Sequence, residues 1–562
     1  MDLAALMFIL FTCEYTLCHT INHEKGNFRN SATEKSVHNP HHVGTRDFEV
    51  SNSELEPEYW IRNAQLSILN KVDKLNNLNT GRAKNIIMFL GDGMSIPTVT
   101  AARIYKGQKH GLTGEEQQLS FEKFPYVGLS KTYSVDYQTT DSAATATAYL
   151  TGVKTNYGTI GVTASVNRKN CTAMLNKKFH TTSIAEWAQN AGKRTGFVTT
   201  TRVTHASPSP LFAHSADRDW ESDTDVSSDG QDPTICRDLA YQLIHNKAGQ
   251  KLNVIMGGGR GKFFPSTTYD EYGNIGERSD GENLIEKWKN YKKHSPNSKY
   301  AYVHDRAGLL HLSNEDYVLG LFAQSHVSYE LDRDPEVVPS IAEMTQKAIK
   351  LLSKGKNGFF LFVEGGRIDH AHHDVLAKKS LEETVAFAQA IEVAVDMTND
   401  DDTLIVVTSD HSHTLSISGY TYRGNDILGE ADIADDGLPY LSLGYANGKN
   451  TGRDSTGVRH NVSEDEDLGT KDYEYPGMVL LDSETHGGDD VGIFARGPWA
   501  HLLTGVNEQN VIPHVMAYAS CIGNGRTVCS LNKSSLSSSS VTNQFFILAI
   551  LLPLVLPVYN TI

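Results

Sequence analysis

The sequence predicts an α/β fold with a central, mostly parallel sheet flanked by helices, and three observations predict it. First, Ile86–Leu90, Phe359–Val363 and Leu404–Thr408 are short, almost wholly apolar runs, which suit strands buried on both faces of a parallel sheet. Second, each run leads into an acid: Gly91-Asp92-Gly93, Glu364-Gly365-Gly366 and Ser409-Asp410-His411-Ser412-His413. Open α/β sheets carry their sites at the carboxyl edge, so these acids are expected to gather there. Third, helical spacing such as that of Ser380–Met397 lies between the runs, the alternation that builds an α/β fold. A fourth run, Leu252–Met256, ends in Gly257-Gly258-Gly259 without an acid.

Both ends of the chain read as processing signals. Leu3–Phe11 is apolar and small or polar residues follow near Cys18 and His19, so residues 1–19 read as a secretory signal, although Asp2 replaces the usual basic start. Residues 20–55 form a polar leader in which His38, His41 and His42 surround Pro40. Trp60–Leu78 then carries Ile61, Leu66, Leu69, Val72 and Leu75 at helical spacing. Near the other end a serine-rich stretch, Ser534–Ser540, precedes the apolar Phe545–Val558. That tail is broken by Pro553 and Pro557 and is shorter than the roughly 20 residues a spanning helix needs. Small residues, a polar spacer and an apolar tail match a glycosylphosphatidylinositol (GPI) attachment signal over residues 531–562, with Asn532, Ser534 and Ser535 as candidate attachment points.

The 562 residues carry a formal charge of −16. That balance argues against nucleic-acid binding, which needs a basic surface. A phosphate site on such a chain has to be locally positive, and bound metal ions can supply the charge. Cys171, Cys236, Cys521 and Cys529 lie outside the signal segment, an even count for a secreted chain. Cys521 and Cys529 can close a small loop, which pairs Cys171 with Cys236. Asn170, Asn461 and Asn532 head glycosylation sequons.

The stretch Glu364–His373 holds an unusual density of metal-ligand side chains. Asp369 and His373 are four apart and share one face of a helical turn. With Asp92, Glu364, Asp410, His411 and His486 they form a candidate metal set. Mixed His/Asp ligation suits zinc and an oxygen-only subset suits magnesium. Buried carboxylates at strand ends would repel one another, and cations are the natural compensation. Separately, Ser142 opens an alanine-rich helical run, where free N–H groups and the helix dipole favour an alkoxide and a phosphate. Taken alone, Asp141-Ser142 also reads as a simple helix cap.

Together, Asp92-Gly93-Met94, Asp141-Ser142-Ala143, Glu364–His373, Ser409–His413 and Glu484-Thr485-His486-Gly487 resemble the alkaline phosphatases of animals. The likeness to the membrane-anchored type runs over about residues 56–530, nearly the whole mature chain; an invertebrate member fits. It implies an alkaline phosphatase-like fold with an N-terminal arm helix over about 58–79 and a crown domain inserted over about 419–485, where the chain is rich in Gly, Asp and Tyr. It implies a homodimer on the cell surface that hydrolyses small phosphate monoesters. One zinc would be held by Asp369, His373 and His486, a second by Asp92, Asp410 and His411. Magnesium would be held by Asp92, Ser207 and Glu364, with His205 just beyond it. Ser142 would be the nucleophile, Arg218 would clamp two phosphate oxygens, and His370, His372 and His413 would orient ligands. Vertebrate relatives add a calcium site. Glu271 could match one of its ligands, but Ala323 and Val338 stand where acids are expected, so that site is predicted weak or missing. A phosphodiesterase or nucleotide pyrophosphatase of the same superfamily is disfavoured because such relatives use Thr as nucleophile and lack the Ser207/Glu364 pattern. An inactive GPI-anchored receptor is disfavoured by the intact ligand set.

Overall fold

The computed structural model describes residues 78–295, 298–523, 525 and 527–529, together with Arg62, Gln65 and Leu66. The secretory signal, the leader, nearly all of the arm helix, Asn532 and the GPI signal lie outside the described residues. Among the described residues no helix is long and apolar enough to cross a membrane.

The first apolar run becomes β1 (Asn85–Gly91) and leads into α1 (Ile96–Gln108). The side chain of Ser95 accepts from Thr98 N at 3.1 Å and so caps the open end of α1. β2 (Tyr126–Lys131) precedes α2 (Ser142–Thr151). Gly152, at φ 78°, ends α2 in the left-handed conformation typical of helix stops. Next come β3 (Arg194–Arg202), β4 (Val254–Gly258), β5 (Tyr300–Val303) and β6 (Tyr317–Leu321). α3 (Ile341–Leu352) starts at a reciprocal Ser340/Glu343 capping box. β7 (Phe359–Gly365), α4 (Arg367–His373), α5 (Ala377–Met397) and β8 (Thr403–Thr408) follow closely. After a long excursion the chain returns as β9 (Val491–Arg496), β10 (Gly505–Glu508) and α6 (Val511–Ser520).

These ten strands form one sheet in the order β10-β2-β9-β8-β1-β7-β3-β4-β6-β5. β9 is antiparallel to β8 and β2; the remaining pairings are parallel. The three runs that lead into acids are therefore neighbours, β7-β1-β8, at the centre of the sheet. Leu90 lies opposite both Glu364 and Thr408, so the acids emerge at one edge within two residues of register. Period-two alternation divides each strand between two cores. Ile87, Phe89, Leu361, Val363, Ile405 and Val407 pack with α1, α3 and α5. Ile86, Met88, Leu90, Phe360, Phe362, Leu404 and Val406 pack with α2 and α6. Each such side chain contributes about 1.5–3 kcal/mol on burial, which fixes the strand ends that carry the site.

Two boundaries differ from the sequence reading. The long helix starts at Ala377 rather than Ser380, because its first turn is already buried. The fourth strand is Val254–Gly258, two residues further along than the apolar run, since pairing continues through the glycines. Gly258 fits only without a side chain: a Cβ there would lie 2.1 Å from the Ser325 carbonyl oxygen. Both expected disulfides, Cys171–Cys236 and Cys521–Cys529, are present.

The excursion between β8 and β9 contains a three-stranded sheet (Ser416–Ile417, Leu443–Gly448, Gly477–Leu480) and a hairpin (Glu430–Ile433, Pro439–Leu441). Its two stems pair with each other, His413 opposite His486 and Ser412 opposite Gly487.

Candidate active site

Asp92, Glu364 and Asp410 are fully buried at the carboxyl edge of the sheet. Their surroundings satisfy only part of each group. Gly93 N donates to Asp410 Oδ1 at 2.9 Å. Thr199 and Thr201, at the end of β3, donate to Glu364 Oε2 at 2.5 and 3.3 Å. Ser207 Oγ lies 3.5 Å from Asp92 Oδ2. Asp92 Oδ1, Glu364 Oε1 and Asp410 Oδ2 are buried with no hydrogen-bond partner. Burial, followed by the charges of Asp410, Asp369 and Glu364, pushes Asp92 well above the usual carboxylate range. Burial lifts Glu364 to about 7 against the hydrogen bonds from Thr199 and Ser207. Asp410 is raised too, chiefly by burial. Three converging acids with orphaned oxygens fit divalent cations, which restore the missing countercharge.

The groups able to hold a metal extend this edge. Asp92, Glu364 and His205 offer ligand atoms within 4.8 Å of one another, as do Asp92, Asp369 and His411. His411 Nε2 is 3.1 Å from Asp410 Oδ2 and 3.5 Å from Asp92 Oδ1. A further group joins Asp369, His373, His413 and His486. There, one turn of α4 brings His373 Nε2 to 3.4 Å from Asp369 Oδ1, and His486 Nε2 arrives from the far stem of the excursion at 3.3 Å. Burial opposes the charge of Asp369, but His373 and His413 hold it well below the usual carboxylate range. Gly93, at φ 66°, leaves room for this group: a Cβ would meet His413 at 2.4 Å.

Ser142 begins α2, with its Oγ 3.2 Å from His411 Nε2. The preceding Asp141 has two tasks. It caps the helix by accepting from Ala143 N and Ala144 N at 3.2 and 3.3 Å. It also receives Arg218 Nη1 at 3.1 Å, and Gly158 N at 2.9 Å fixes the carboxylate that does so. Asp141 thus holds the Arg218 guanidinium at the start of α2, and Arg218 Nη2 is 3.5 Å from His205 Nε2.

The three histidines expected to orient ligands behave differently from one another. His413 bonds Asp369 Oδ1 at 2.6 Å and Glu484 Oε2 at 2.5 Å, a direct brace. His372 bonds Thr98, Ser380 and the Tyr445 hydroxyl and only stacks behind His413. His370 turns away to Arg367 and to the rings of His205 and His326. Sequence reasoning missed Glu484, Asp141 as an arginine anchor, Thr199, Thr201 and His326. Glu484 alone left a signal, an acid two residues before His486. Glu271 sits 3.9 Å from Arg260.

The family model described as Alkaline phosphatase matches residues 83–522. The chain is 48% identical over 484 residues to the membrane-bound alkaline phosphatase of Bombyx mori, covering 85% of this chain and 88% of that one. It is also 48% identical over 514 residues to the tissue-nonspecific alkaline phosphatase of Rattus norvegicus, covering 90% and 95%. In fold it is similar to the crystal structure of Thermus thermophilus alkaline phosphatase, at TM-score 0.56 and 23% identity over 81% of this chain and 96% of that one.

Proposed function

The chain belongs to the alkaline phosphatase family, and from that premise we propose that it hydrolyses phosphate monoesters through a phosphoserine on Ser142, using two zinc ions and one magnesium. The observation that carries this reading is the meeting of Ser142, His411 and Arg218 with the orphaned oxygens of Asp92 and Asp410. Asp369, His373 and His486 would hold one zinc, Asp92, Asp410 and His411 the other. Asp92, Ser207 and Glu364 would hold magnesium, with His205 adjacent.

Bound zinc supplies a Lewis acid that lowers the pKa first of the Ser142 hydroxyl and later of a water. The chain's own groups do the rest. Ser142 Oγ, at the positive end of α2, attacks phosphorus as the ester oxygen leaves. Arg218 presents a planar fork to two non-bridging oxygens and neutralises their charge. Asp141 holds that fork in place, which lowers the ordering cost of binding. Water then cleaves the phosphoserine and inorganic phosphate departs. These contacts address the phosphoryl group and not the leaving alcohol, so broad monoester specificity follows.

We also propose a GPI-anchored homodimer on the outer cell surface, with residues 419–485 as a crown domain beside the site. The serine-rich spacer and apolar tail, two disulfides and a relative named membrane-bound support this reading. Release of activity from membranes by a phosphatidylinositol-specific phospholipase tests the anchor.

The decisive assay is p-nitrophenyl phosphate turnover at about pH 9–10 with and without chelator. Turnover that chelator abolishes is expected, and its absence sinks the phosphatase reading. Ser142→Ala should lose at least about a thousandfold in kcat; a fully active variant refutes the nucleophile assignment alone.

A further inference from the structure

Beside the acid-containing groups lies a cluster of a different kind. His205, His326 and His370 each bring one nitrogen within 4.8 Å of the others, with no carboxylate among them. A guanidinium meets each ring. Arg202 Nη1 donates to His326 Nε2 at 2.5 Å and Arg367 Nη1 to His370 Nδ1 at 2.9 Å, while Arg218 Nη2 reaches His205 Nε2 at 3.5 Å. His205 is buried, but His326 and His370 are half-buried and Ser325 beside them is exposed, so the cluster opens to solvent. We propose that these side chains form a second oxyanion site, of the phosphate and sulfonate class, next to the phosphoryl group that Arg218 holds. The proposal rests on the phosphatase reading for that first site and gives His326, which that reading leaves without a role, a ligand of its own.

The hydrogen bonds fix which nitrogen of each ring carries the proton. A guanidinium has only N–H groups to offer, so the ring nitrogen that it meets must present a lone pair. The proton of each ring therefore sits on the other nitrogen: Nδ1 of His205, Nδ1 of His326 and Nε2 of His370. A ring that gained a second proton would still present that same N–H. His205 Nδ1 and His326 Nδ1 are buried without a partner, and so is Arg367 Nε. The carboxylates that could accept these donors are engaged elsewhere. Glu221 takes Arg202 at 3.0 and 2.8 Å, Asp141 takes Arg218 at 3.1 Å, and Asp369 takes His413 at 2.6 Å. Surplus N–H donors with three guanidiniums around them complement an oxyanion, whose oxygens only accept. Arg218 has one nitrogen on Asp141 and the other beside His205, so a short spacer separates the two oxyanions. The ligand is a monoester whose alcohol bears a second oxyanion, or a free inorganic oxyanion. On a chain of charge −16 the overall field disfavours an extra negative charge on the substrate, so a preference for one needs this local site.

Kinetics and crystallography together test the site and separate the two sources. kcat/KM is measured for ethyl phosphate and for 2-sulfoethyl phosphate at buffered zinc and magnesium. Wild type should favour the sulfonate-bearing ester about tenfold, the size of one charge-assisted hydrogen bond. His326→Phe should lose that preference. His326→Asn, whose amide N–H stands in for the ring N–H, should regain part of it. Crystals of the metal-loaded protein soaked in selenate should show an anomalous peak among the three rings, apart from any at Ser142, and His326→Phe should lose it. A preference without the peak assigns the site to the substrate's own second group; the peak without a preference assigns it to a free inorganic oxyanion. Absence of both overturns the proposal, and so does a preference or a peak that His326→Phe leaves intact. Ethyl phosphate turnover by the variants reports that they fold. No turnover of either ester by any of the proteins refutes the phosphatase reading instead, and the selenate peak then decides this one.

Discussion

Arg218→Ala isolates what the guanidinium contributes to phosphoryl transfer. The side chain is anchored by Asp141, the residue before Ser142, at 3.1 Å, and the N–H groups that Asp141 does not hold are the ones proposed to meet the phosphoryl group. Each charge-assisted hydrogen bond is worth about 1.5–3 kcal/mol, and two of them give about 3–6 kcal/mol of transition-state binding. That corresponds to a loss of about 10²–10⁴ in kcat/KM. The fold should survive, because Asp141 keeps the backbone N–H groups of Ala143, Ala144 and Gly158 as donors. Arg218→Lys keeps the charge but loses the fork, and should fall between wild type and alanine. The assay is kcat/KM on p-nitrophenyl phosphate together with the inhibition constant for inorganic phosphate. Both should weaken, since product and transition state share the non-bridging oxygens. A wild-type inhibition constant in Arg218→Ala, whatever happens to kcat, would refute the clamp.

Other outcomes follow from the same geometry. Glu484→Ala removes the partner that holds His413 against Asp369; zinc affinity, read as activity against buffered free zinc, should fall about 10–100-fold. Lys292 is buried over the Tyr317 ring, and burial lowers its pKa from 10.5 to about 7. Between those values the unfolded chain holds the proton and the folded chain does not, so this group makes stability rise with pH across the window. Lys292→Met should flatten that part of the melting temperature profile. Replacing both Cys171 and Cys236 by Ala opens a link across a sequence separation of 65; the cost should be about 4 kcal/mol by chain entropy, read in denaturant unfolding.

Much of this molecule was legible in the primary structure, for reasons that differ by element. Strands β1, β7 and β8 could be read because both faces are buried and their apolar runs are unbroken. The acids could be read because they sit immediately beyond those runs. Asp369 and His373 could be read from helical spacing. Groups whose meaning is set by a partner distant in sequence could not. Glu484 is an ordinary acid until His413, 71 residues away, is laid against it. Asp141 reads as a helix cap, and only the folded chain brings Arg218 to the same carboxylate. His326 sits in a polar loop with no periodicity, and His370 is indistinguishable in sequence from His372 and His373. Element edges slipped where burial of the first turn or glycine packing extended a helix or strand past its apolar run.

The paired stems at Ser412–His413 and His486–Gly487 have a consequence for how this protein can vary. They close the excursion as a clasp closes a loop of cord, and the residues of the clasp are themselves site residues or their braces. Sequence inserted, deleted or exchanged in the outer hairpin of the excursion, away from Glu484 and Tyr445, therefore leaves the spacing of His411, His413 and His486 untouched, because the stems tie the loop's ends together. That outer part can diverge in size and surface between related chains while Glu484 and Tyr445 keep the chemistry below it in register.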